Sequence, residues 1–262
     1  MKIHKLLAAM LIGASTLFGF GVQSQAAIVT DIVMMVDESG SMSNVQANLR
    51  NNIGAFASIL SAGGIDARYA LVGYGNGSVI PRLLTDFTTP AGFATAAGNL
   101  VASGGTEPGY TAIDRALNGV LPLTYRAGAL KNLIIFTDEP SNGDSSYGSS
   151  FTTADDNLTF YNALFNAVLR GTSTEASYSP LASGHGGNVY DLNDLNTTDQ
   201  TVVSAFVDSF ARSKLQEIVD YCTLHPNDPA CQGGSVPEPG TLALIGLAIV
   251  GLRLTRRSAA AK

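Results

Sequence analysis

Apolar residues along the chain follow two different spacings. A continuous apolar run within residues 28–36 predicts a strand that is buried on both faces. After it, apolar side chains recur every three or four positions, which predicts an amphipathic helix that ends at Gly63 and Gly64. The buried face of this helix is expected to consist of Val45, Leu49, Ile53, Phe56 and Leu60.

Further strands are predicted along the rest of the chain. Pro81 has no N–H for a sheet ladder, so residues 79–87 are expected to form an antiparallel edge strand. The other strands are predicted over residues 66–74, 132–137, 165–169 and 187–190. The strand over residues 132–137 is nearly all apolar, as a parallel strand covered on both faces should be.

Helices are expected between these strands. One is predicted near residues 90–101 and another over residues 155–162. The helix that Gly104-Gly105-Thr106 is expected to open should bury Ile113, Ala116, Leu117 and Val120. A last helix follows residues 197–200, which fit a capping box, and should bury Val203, Phe206, Val207 and Phe210. The alternation of strands and helices predicts an α/β fold with a doubly wound, mostly parallel central sheet flanked by helices.

The amino terminus carries the pattern of an export signal. Residues 1–26 begin with Lys2 and Lys5, continue with an apolar stretch, and end in Ser24-Gln25-Ala26. The apolar stretch is short for a membrane span, and small residues occupy the two positions that signal peptidase reads. We therefore expect a signal peptide that is cleaved on export.

The carboxyl terminus carries a second signal. Residues 237–262 begin with Pro237-Glu238-Pro239, continue with an uncharged stretch, and end in a basic tail. They resemble the PEP-CTERM sorting signal of Gram-negative bacteria. The resemblance implies a transient membrane contact through a short hydrophobic helix and removal of the tail by an exosortase. A plain membrane anchor is the alternative, although the stretch is short against the roughly 20 residues of a stable span.

Removal of both signals would leave an acidic domain. Nine basic and 20 acidic residues remain, so the formal net charge becomes −11. Such a surface argues against nucleic-acid or anionic-lipid partners and attracts divalent cations. One α/β domain is predicted over residues 27–221. Cys222 and Cys231 are expected to form a disulfide, within a loop and linker over residues 222–236.

Oxygen-bearing side chains follow two of the predicted central strands. Asp37, Ser39 and Ser41 come directly after the first strand, and Asp138 follows the strand over residues 132–137. In open α/β sheets, ligands bind at the carboxyl ends of the strands. Carboxylates and hydroxyls are hard ligands that suit Mg²⁺, Mn²⁺ or Ca²⁺. The sequence therefore predicts a divalent-cation site at this edge.

With one threonine added, these residues resemble the metal-ion-dependent adhesion site (MIDAS) of von Willebrand factor type A (VWA) domains. The five positions of that site are filled by Asp37, Ser39, Ser41, Thr106 and Asp138. The resemblance covers roughly residues 28–220. It implies that the serines bind the metal directly, the threonine directly or through water, and the aspartates mainly through waters. It also implies that an acidic group of a partner completes the shell. Mg²⁺ is the expected metal, and Mn²⁺ and Ca²⁺ are the alternatives. The other alternative is that the fold is kept and the site no longer binds a metal.

Other polar residues near this site are given simpler interpretations. Glu38, Glu107 and Glu139 adjoin the motif and could enter the metal shell, but we expect them to be solvated loop residues. The loop over residues 141–146 is expected to be a flexible surface turn and not a determinant of ligand choice. Residues 191–194 are expected to form a turn at a strand end and not a calcium loop.

Catalytic groups are scarce. No Gly-x-Ser-x-Gly motif occurs, and outside the signal peptide the only histidines are His185 and His225. His185 lies in a glycine-rich stretch and is expected to be solvated. The predicted metal site has no evident general base. We therefore expect the chain not to be an enzyme, and a metal-dependent hydrolase ranks third among the functions considered.

Two functions of different classes remain. The first is an exported adhesion module whose metal binds an acidic group of a protein or polysaccharide, at the cell surface or in the extracellular matrix. The second is a structural matrix protein in which the metal only stabilises the fold. Metal-dependent binding to a partner distinguishes the first from the second.

Overall fold

The computed structural model of the protein describes residues 27–76 and 81–233. The signal peptide expected over residues 1–26 and the sorting signal expected over residues 237–262 lie outside these ranges. The same holds for the first residues of the predicted edge strand, Val79 and Ile80. Within the described residues, no helix combines the length and the apolarity that crossing a bilayer would need.

Strands and helices alternate along the chain. The strands are β1 Ile28–Asp37, β2 Ile65–Tyr74, β3 Arg82–Thr88, β4 Leu130–Thr137, β5 Leu164–Leu169 and β6 Val189–Asp191. The helices are α1 Ser43–Ala62, α2 Pro90–Ala97, α3 Gly109–Leu117, α4 Phe151–Phe160, α5 Thr172–Gly184 and α6 Gln200–Leu224. Single turns of 3-10 helix occur at Gly40–Met42, Asp144–Tyr147, Leu192–Asp194 and Pro229–Cys231.

The six strands form one sheet in the order β3-β2-β1-β4-β5-β6. All neighbouring pairs are parallel except β2 with β3, which is antiparallel and lies at the edge. This arrangement confirms the predicted fold class, including its antiparallel edge strand. Chain order reverses around β1, which has β2 on one side and β4 on the other. The carboxyl ends of β1 and β4 therefore flank the crevice in which α/β sheets bind ligands.

Helices cover both faces of the sheet. On one face, the alternate β1 residues Ile32, Met34 and Val36 pack with residues of α1 and α6. On the other face, Val33 and Met35 pack with residues of α3 and α5. Because each central strand is apolar on both sides, the sequence reads as a continuous run and not as an alternation. The rigid central strands fix the position of the loops that follow them.

Several helix predictions need correction. The helix expected to open at Gly104 begins only at Gly109, after an extended loop, and ends at Leu117. Val120 therefore lies beyond the helix and is 59% exposed, contrary to the prediction. The last helix is capped by Asp199, whose side chain accepts from the Thr201 N–H, and not by the predicted capping box.

Helix α5 is absent from the sequence-based prediction. Its segment is rich in serine and threonine, and Pro180 lies inside it, both of which disfavour a helix in isolation. Tyr178, Leu181 and Ala182 are nevertheless fully buried against the sheet. Tertiary packing thus overrides the local propensity here.

The predicted disulfide is confirmed. Cys222 in α6 is joined to Cys231 in the turn that follows. Next to that cysteine, Pro229 packs so closely on Gly128 that a Cβ at residue 128 would lie 2.9 Å from the proline Cβ. Gly128 lies two residues before β4, so the end of the described chain lies beside the amino end of that strand.

A charged network lies buried between α6 and the sheet. The ammonium of Lys214 is fully buried and donates to Glu217 at 2.5 Å and to Asn132 at 2.9 Å. The amides of Asn166 and Asn188 donate to the two carboxylate oxygens of Glu217, at 3.0 and 3.3 Å. Burial lowers the pKa of Lys214, although the neighbouring carboxylate opposes that shift. The pair is thus desolvated, and both of its members have hydrogen-bond partners in the network.

Candidate metal centre

Four of the five predicted metal-site residues lie together at the carboxyl edge of the sheet. Asp37 is the last residue of β1, and Asp138 directly follows β4, the neighbouring parallel strand. Ser39 and Ser41 occupy the turn between β1 and α1. The two strand ends and this turn bring carboxylate and hydroxyl oxygens to one point, as the sequence predicts.

Hydrogen bonds join these four residues into one series. Asp37 Oδ1 accepts from the Ser39 N–H at 2.6 Å, which fixes the start of the turn. The hydroxyls of Ser39 and Ser41 are 3.2 Å apart, and Ser41 donates to Asp138 Oδ1 at 2.8 Å. The Ser41 hydroxyl thus lies within hydrogen-bond distance of both the Ser39 hydroxyl and Asp138 Oδ1, as oxygens around a small cation would.

Asp37 is fully buried. Its second oxygen accepts from the Thr137 hydroxyl at 2.8 Å. Burial nonetheless raises the pKa of Asp37 to about 7, against the opposing effect of its bonds to Ser39 and Thr137. Two hydrogen bonds therefore do not offset the desolvation of this carboxylate, and a nearby cation would.

Thr106 lies on the adjacent loop and is exposed. The loop is aligned with the motif by a parallel bridge between Ser39 and Gly104. Only glycine fits at position 104, because a Cβ there would lie 1.4 Å from the Gly75 carbonyl oxygen. In the described part of the chain, no hydrogen bond joins the Thr106 hydroxyl to the other four residues. Thr106 therefore lies at the rim of the site. The backbone of its loop holds it there, and its hydroxyl does not.

The donor set fits a hard divalent cation. Three hydroxyls and two carboxylates are ligands typical of Mg²⁺ or Ca²⁺. The described residues contain no group of three or more histidine, cysteine, aspartate or glutamate residues that could hold a metal. A cation at this edge would consequently depend on the serine and threonine hydroxyls and not on a carboxylate cage.

Glu38 is a structural residue of the site that the sequence interpretation missed. It is fully buried, not solvated, and its carboxylate accepts from Arg82 Nη2 at 2.5 Å and from the Val101 N–H at 3.0 Å. Its backbone N–H donates to the Tyr74 carbonyl, and its carbonyl accepts from the Ser103 and Gly104 N–H groups. Glu38 thus joins the metal-site turn to the end of β2 and to the loop that carries the threonine.

The other two neighbouring glutamates differ from each other. Glu107 is buried, contrary to the prediction, and accepts from the Asn142 amide at 2.8 Å. Glu139 is exposed, as predicted. Asp144, in the loop expected to be a flexible turn, is buried and accepts from the N–H and hydroxyl of Thr111 at 2.8 and 2.9 Å. This loop is therefore anchored to α3 beside the site.

Arg170 also lies at the site, and sequence reasoning missed it. It directly follows β5, and its guanidinium forms an ion pair with Asp138. The available signal was its position after a central strand, at the same edge as the motif. His185, by contrast, lies elsewhere, and its prediction as a solvated residue is wrong. Its side chain is 9% exposed and pairs with Asp155 at 2.8 Å.

We expect Arg82→Ala to lower the stability of the protein. The variant leaves the buried Glu38 carboxylate without its cation, but the arginine itself is 36% exposed, so the ion pair is partly solvated. The expected loss is about 2–3 kcal/mol, a decrease of roughly 4–12 °C in Tm. Thermal unfolding checks it, with Arg50→Ala on the exposed side of α1 as the control. Equal melting temperatures for both variants would contradict the role given to the pair.

Comparison with known proteins identifies both parts of the chain. Residues 235–257 match the PEP-CTERM protein-sorting motif, which confirms that resemblance and lies outside the described residues. The motif implies export, a surface or extracellular location, and processing by exosortase-type machinery. None of the curated proteins compared with the chain matches it significantly.

Solved structures with the same fold include two crystal forms of proximal thread matrix protein 1 from the mussel byssus. The first has a TM-score of 0.51 at 17% identity, over 71% of this chain and 46% of that one. The second has a TM-score of 0.50 at 14% identity, over 70% and 48%. The chain thus spans about half the length of these structures, and the likeness concerns the fold alone. Residues 31–204 match the model of the von Willebrand factor type A domain, so the chain belongs to the VWA family.

Proposed function

We propose that this protein is an exported binding module that uses a divalent cation to hold an acidic group of a partner. Mg²⁺ is the first choice, and Mn²⁺ and Ca²⁺ share its ligand preference. The residues that would hold the cation are Asp37, Ser39, Ser41, Thr106 and Asp138. The observation that carries the proposal is the hydrogen-bonded series of four of these residues at the switch point of the sheet.

The carboxylates of the site are already engaged in positioning. Both oxygens of Asp37 accept hydrogen bonds, from the Ser39 N–H and the Thr137 hydroxyl. Asp138 is shared between Ser41 and Arg170. Neutral hydroxyls are left as the groups that face a cation most directly. When bound, the cation would keep much of its positive charge and could accept an external carboxylate, sulfate or phosphate oxygen.

Export supports a partner outside the cell. The PEP-CTERM motif places the site in an extracellular or surface setting, and a VWA domain there is typical of adhesion or matrix proteins. A protein or polysaccharide of the extracellular matrix is the proposed partner. One protein with this fold is itself a matrix protein of the mussel byssus, which makes a matrix role a reasonable analogy.

The proposal describes a protein that binds without catalysis. The two cysteines are joined in a disulfide, so neither is a thiol nucleophile. His185 pairs with Asp155 on α4, and no residue with a free imidazole adjoins the site among those described. The carboxylates of Asp37, Glu38 and Asp138 are held in structural bonds.

A structural role for the metal is the second candidate. Asp37 is buried and its pKa is raised to about 7, so a cation beside it would relieve a cost of folding. In that case the cation stabilises the carboxyl edge of the sheet and needs no partner. The two functions differ in what removal of the metal does.

Metal-dependent capture on extracellular matrix tests the two against each other. The purified protein is incubated with matrix isolated from a PEP-CTERM bacterium, with Mg²⁺ or with EDTA, and the bound fraction and Tm are measured. The proposal expects EDTA and Ser39→Ala to abolish capture, whereas Ser61→Ala, at the exposed end of α1, leaves it unchanged. Capture that persists in EDTA while Tm falls would overturn the binding proposal in favour of the structural role.

A further inference from the structure

A cationic side chain and the amino end of a helix lie beside the candidate metal centre, at the end of β5. Thr137 of β4 is paired with Leu169 of β5, so the residues that follow, Asp138 and Arg170, leave the sheet side by side. Helix α5 begins two residues later, at Thr172. Arg170 and the first turn of α5 are therefore contiguous, and one end of the arginine reaches the metal-site carboxylate.

Arg170 has hydrogen-bonding capacity to spare. Its side chain is 40% exposed, and within the described residues its guanidinium bonds to Asp138 alone. A guanidinium carries five N–H donors in a planar fork that suits carboxylate, sulfate and phosphate groups. The remaining donors can therefore serve a second acceptor in solution.

The first turn of α5 has no side-chain cap. Its N-cap residue is Gly171, which lacks a side chain, and no cap hydrogen bond is made. The N–H groups of a first helical turn have no partner within the helix, and they carry the positive end of the helix dipole. The backbone at Gly171 has a φ of 93°, which disfavours any residue whose side chain could fill the place of the cap.

A buried hydroxyl points to the same place. Thr174, in the first turn of α5, is 1% exposed, and its Oγ1 has no hydrogen-bond partner. That oxygen lies 3.9 Å from the position that a Cβ of residue 171 would occupy, so it is directed towards the start of the helix. A buried hydroxyl without a partner is unfavourable. The start of α5 therefore lacks an acceptor that a ligand could provide.

We propose that Arg170, the first-turn N–H groups of α5 and the Thr174 hydroxyl form an oxyanion subsite beside the metal centre. Its ligand is a group with two or more acceptor oxygens, namely a sulfate, phosphate or carboxylate. The exported domain as a whole is acidic, with a formal net charge of −11 without its two signals. An anionic group would here meet the Arg170 guanidinium and the positive end of the helix dipole, against the charge of Glu175, which also lies in the first turn of α5.

The subsite is electrostatically linked to the metal centre through Asp138. While Arg170 is paired with that carboxylate, its charge is partly neutralised. A cation held by the metal-site residues would share Asp138 and leave the guanidinium freer for an anion. This linkage rests on the proposed function, whereas the subsite itself does not. By reciprocity, an oxyanion at Arg170 would also favour cation binding.

A sulfate titration of the metal-free protein tests the subsite. Amide NMR shifts are followed in EDTA at constant ionic strength, with chloride as the balancing anion and acetate in a parallel series. We expect saturable shifts centred on residues 172–174 and an affinity at least about tenfold weaker in Arg170→Ala. Arg212→Ala, an exposed arginine of α6 paired with Asp208, should bind as the wild type does. The ratio of sulfate to acetate affinity separates ester sulfate or phosphate ligands from carboxylates.

Two further results decide the matter. Thr174→Val removes the hydroxyl at nearly constant volume, so it should weaken sulfate binding without lowering Tm. An unchanged sulfate midpoint in Arg170→Ala, or shifts spread evenly over the basic residues, would overturn the proposal. Addition of Mg²⁺ should then tighten sulfate binding in the wild type and not in Asp37→Ala. A Mg²⁺ effect that is missing while metal-free sulfate binding persists would count against the metal site and leave the subsite standing.

Discussion

Asp37→Asn is expected to bind divalent cations more weakly than the wild type and to gain stability in the metal-free state. Asparagine has nearly the same shape and can still accept from the Ser39 N–H. Its amide can donate to the Thr137 hydroxyl, because that hydroxyl has a second acceptor in the Glu139 carbonyl at 3.2 Å. The fold is thereby preserved while the charge that orients the cation is lost. Calorimetric titration of Mg²⁺, Mn²⁺ and Ca²⁺ should show affinity reduced by about 10–100-fold.

The pH dependence of the same variant is a second measure of the buried carboxylate. Burial raises the pKa of Asp37 to about 7 from its ordinary value of 3.8. Between these values the folded protein binds the proton and the unfolded chain does not, so this group's contribution to stability is lost as pH rises towards 7. The Asp37→Asn variant has no such decrease in stability with rising pH. The difference by which its metal-free Tm exceeds that of the wild type should therefore be larger at pH 8 than at pH 5.

Cation binding should respond to pH in the opposite sense. Because the cation requires the carboxylate, the wild-type affinity should fall by about tenfold for each pH unit below 7. An Asp37→Asn protein that binds Mg²⁺ as the wild type does, or a wild-type affinity independent of pH, would show that Asp37 does not serve a metal.

Lys214→Met is expected to destabilise the protein by about 3–5 kcal/mol. The ammonium is completely buried, and its loss leaves Glu217 and Asn132 facing each other without a cation between them. For a domain of this size the change corresponds to a decrease of roughly 6–20 °C in Tm. Chemical denaturation of the wild type and the variant, analysed for the midpoint and the slope, measures the difference.

Two controls separate the charge from the packing in this case. Arg212→Ala removes an exposed cation from the same helix and should change stability by no more than about 0.5 kcal/mol. The double variant Lys214→Met/Glu217→Gln removes both charges and keeps an oxygen for the Asn166 amide, so it should recover a large part of the loss. A double variant as unstable as Lys214→Met would mean that packing, and not the unpaired carboxylate, is responsible.

The central strands and the position of the candidate metal residues at their carboxyl ends were predictable from local patterns. An apolar run that ends in Asp37 predicts both a buried strand and the residue at which that strand reaches the edge of the sheet. The roles of Glu38 and Arg170 were not predictable in the same way. Each depends on a partner from another strand, Arg82 at the sheet edge and Asp138 after β4, and on the register that brings them together. A carboxylate next to a motif looks solvated until its distant partner is known.

Helix α5 and His185 show a second limit of the sequence. The helix contains Pro180 and many hydroxyl residues, and its stability derives from Tyr178 and Leu181 packed on the sheet. His185 directly follows α5. The end of that helix places the histidine side chain beside Asp155 of α4. Once α5 is missed, the surroundings of the histidine cannot be inferred.

The contact of Pro229 with Gly128 determines how the protein would carry a mechanical load. It holds the end of the described chain beside the amino end of β4, whereas the candidate metal centre lies at the carboxyl end of the same strand. A strand of this length spans roughly 25 Å. Attachment through the residues beyond 233 would therefore point the candidate metal centre away from the anchor. Tension between the anchor and a bound partner would run along the central parallel strands. It would therefore load the hydrogen bonds between these strands in shear, so that they resist together and do not open one at a time.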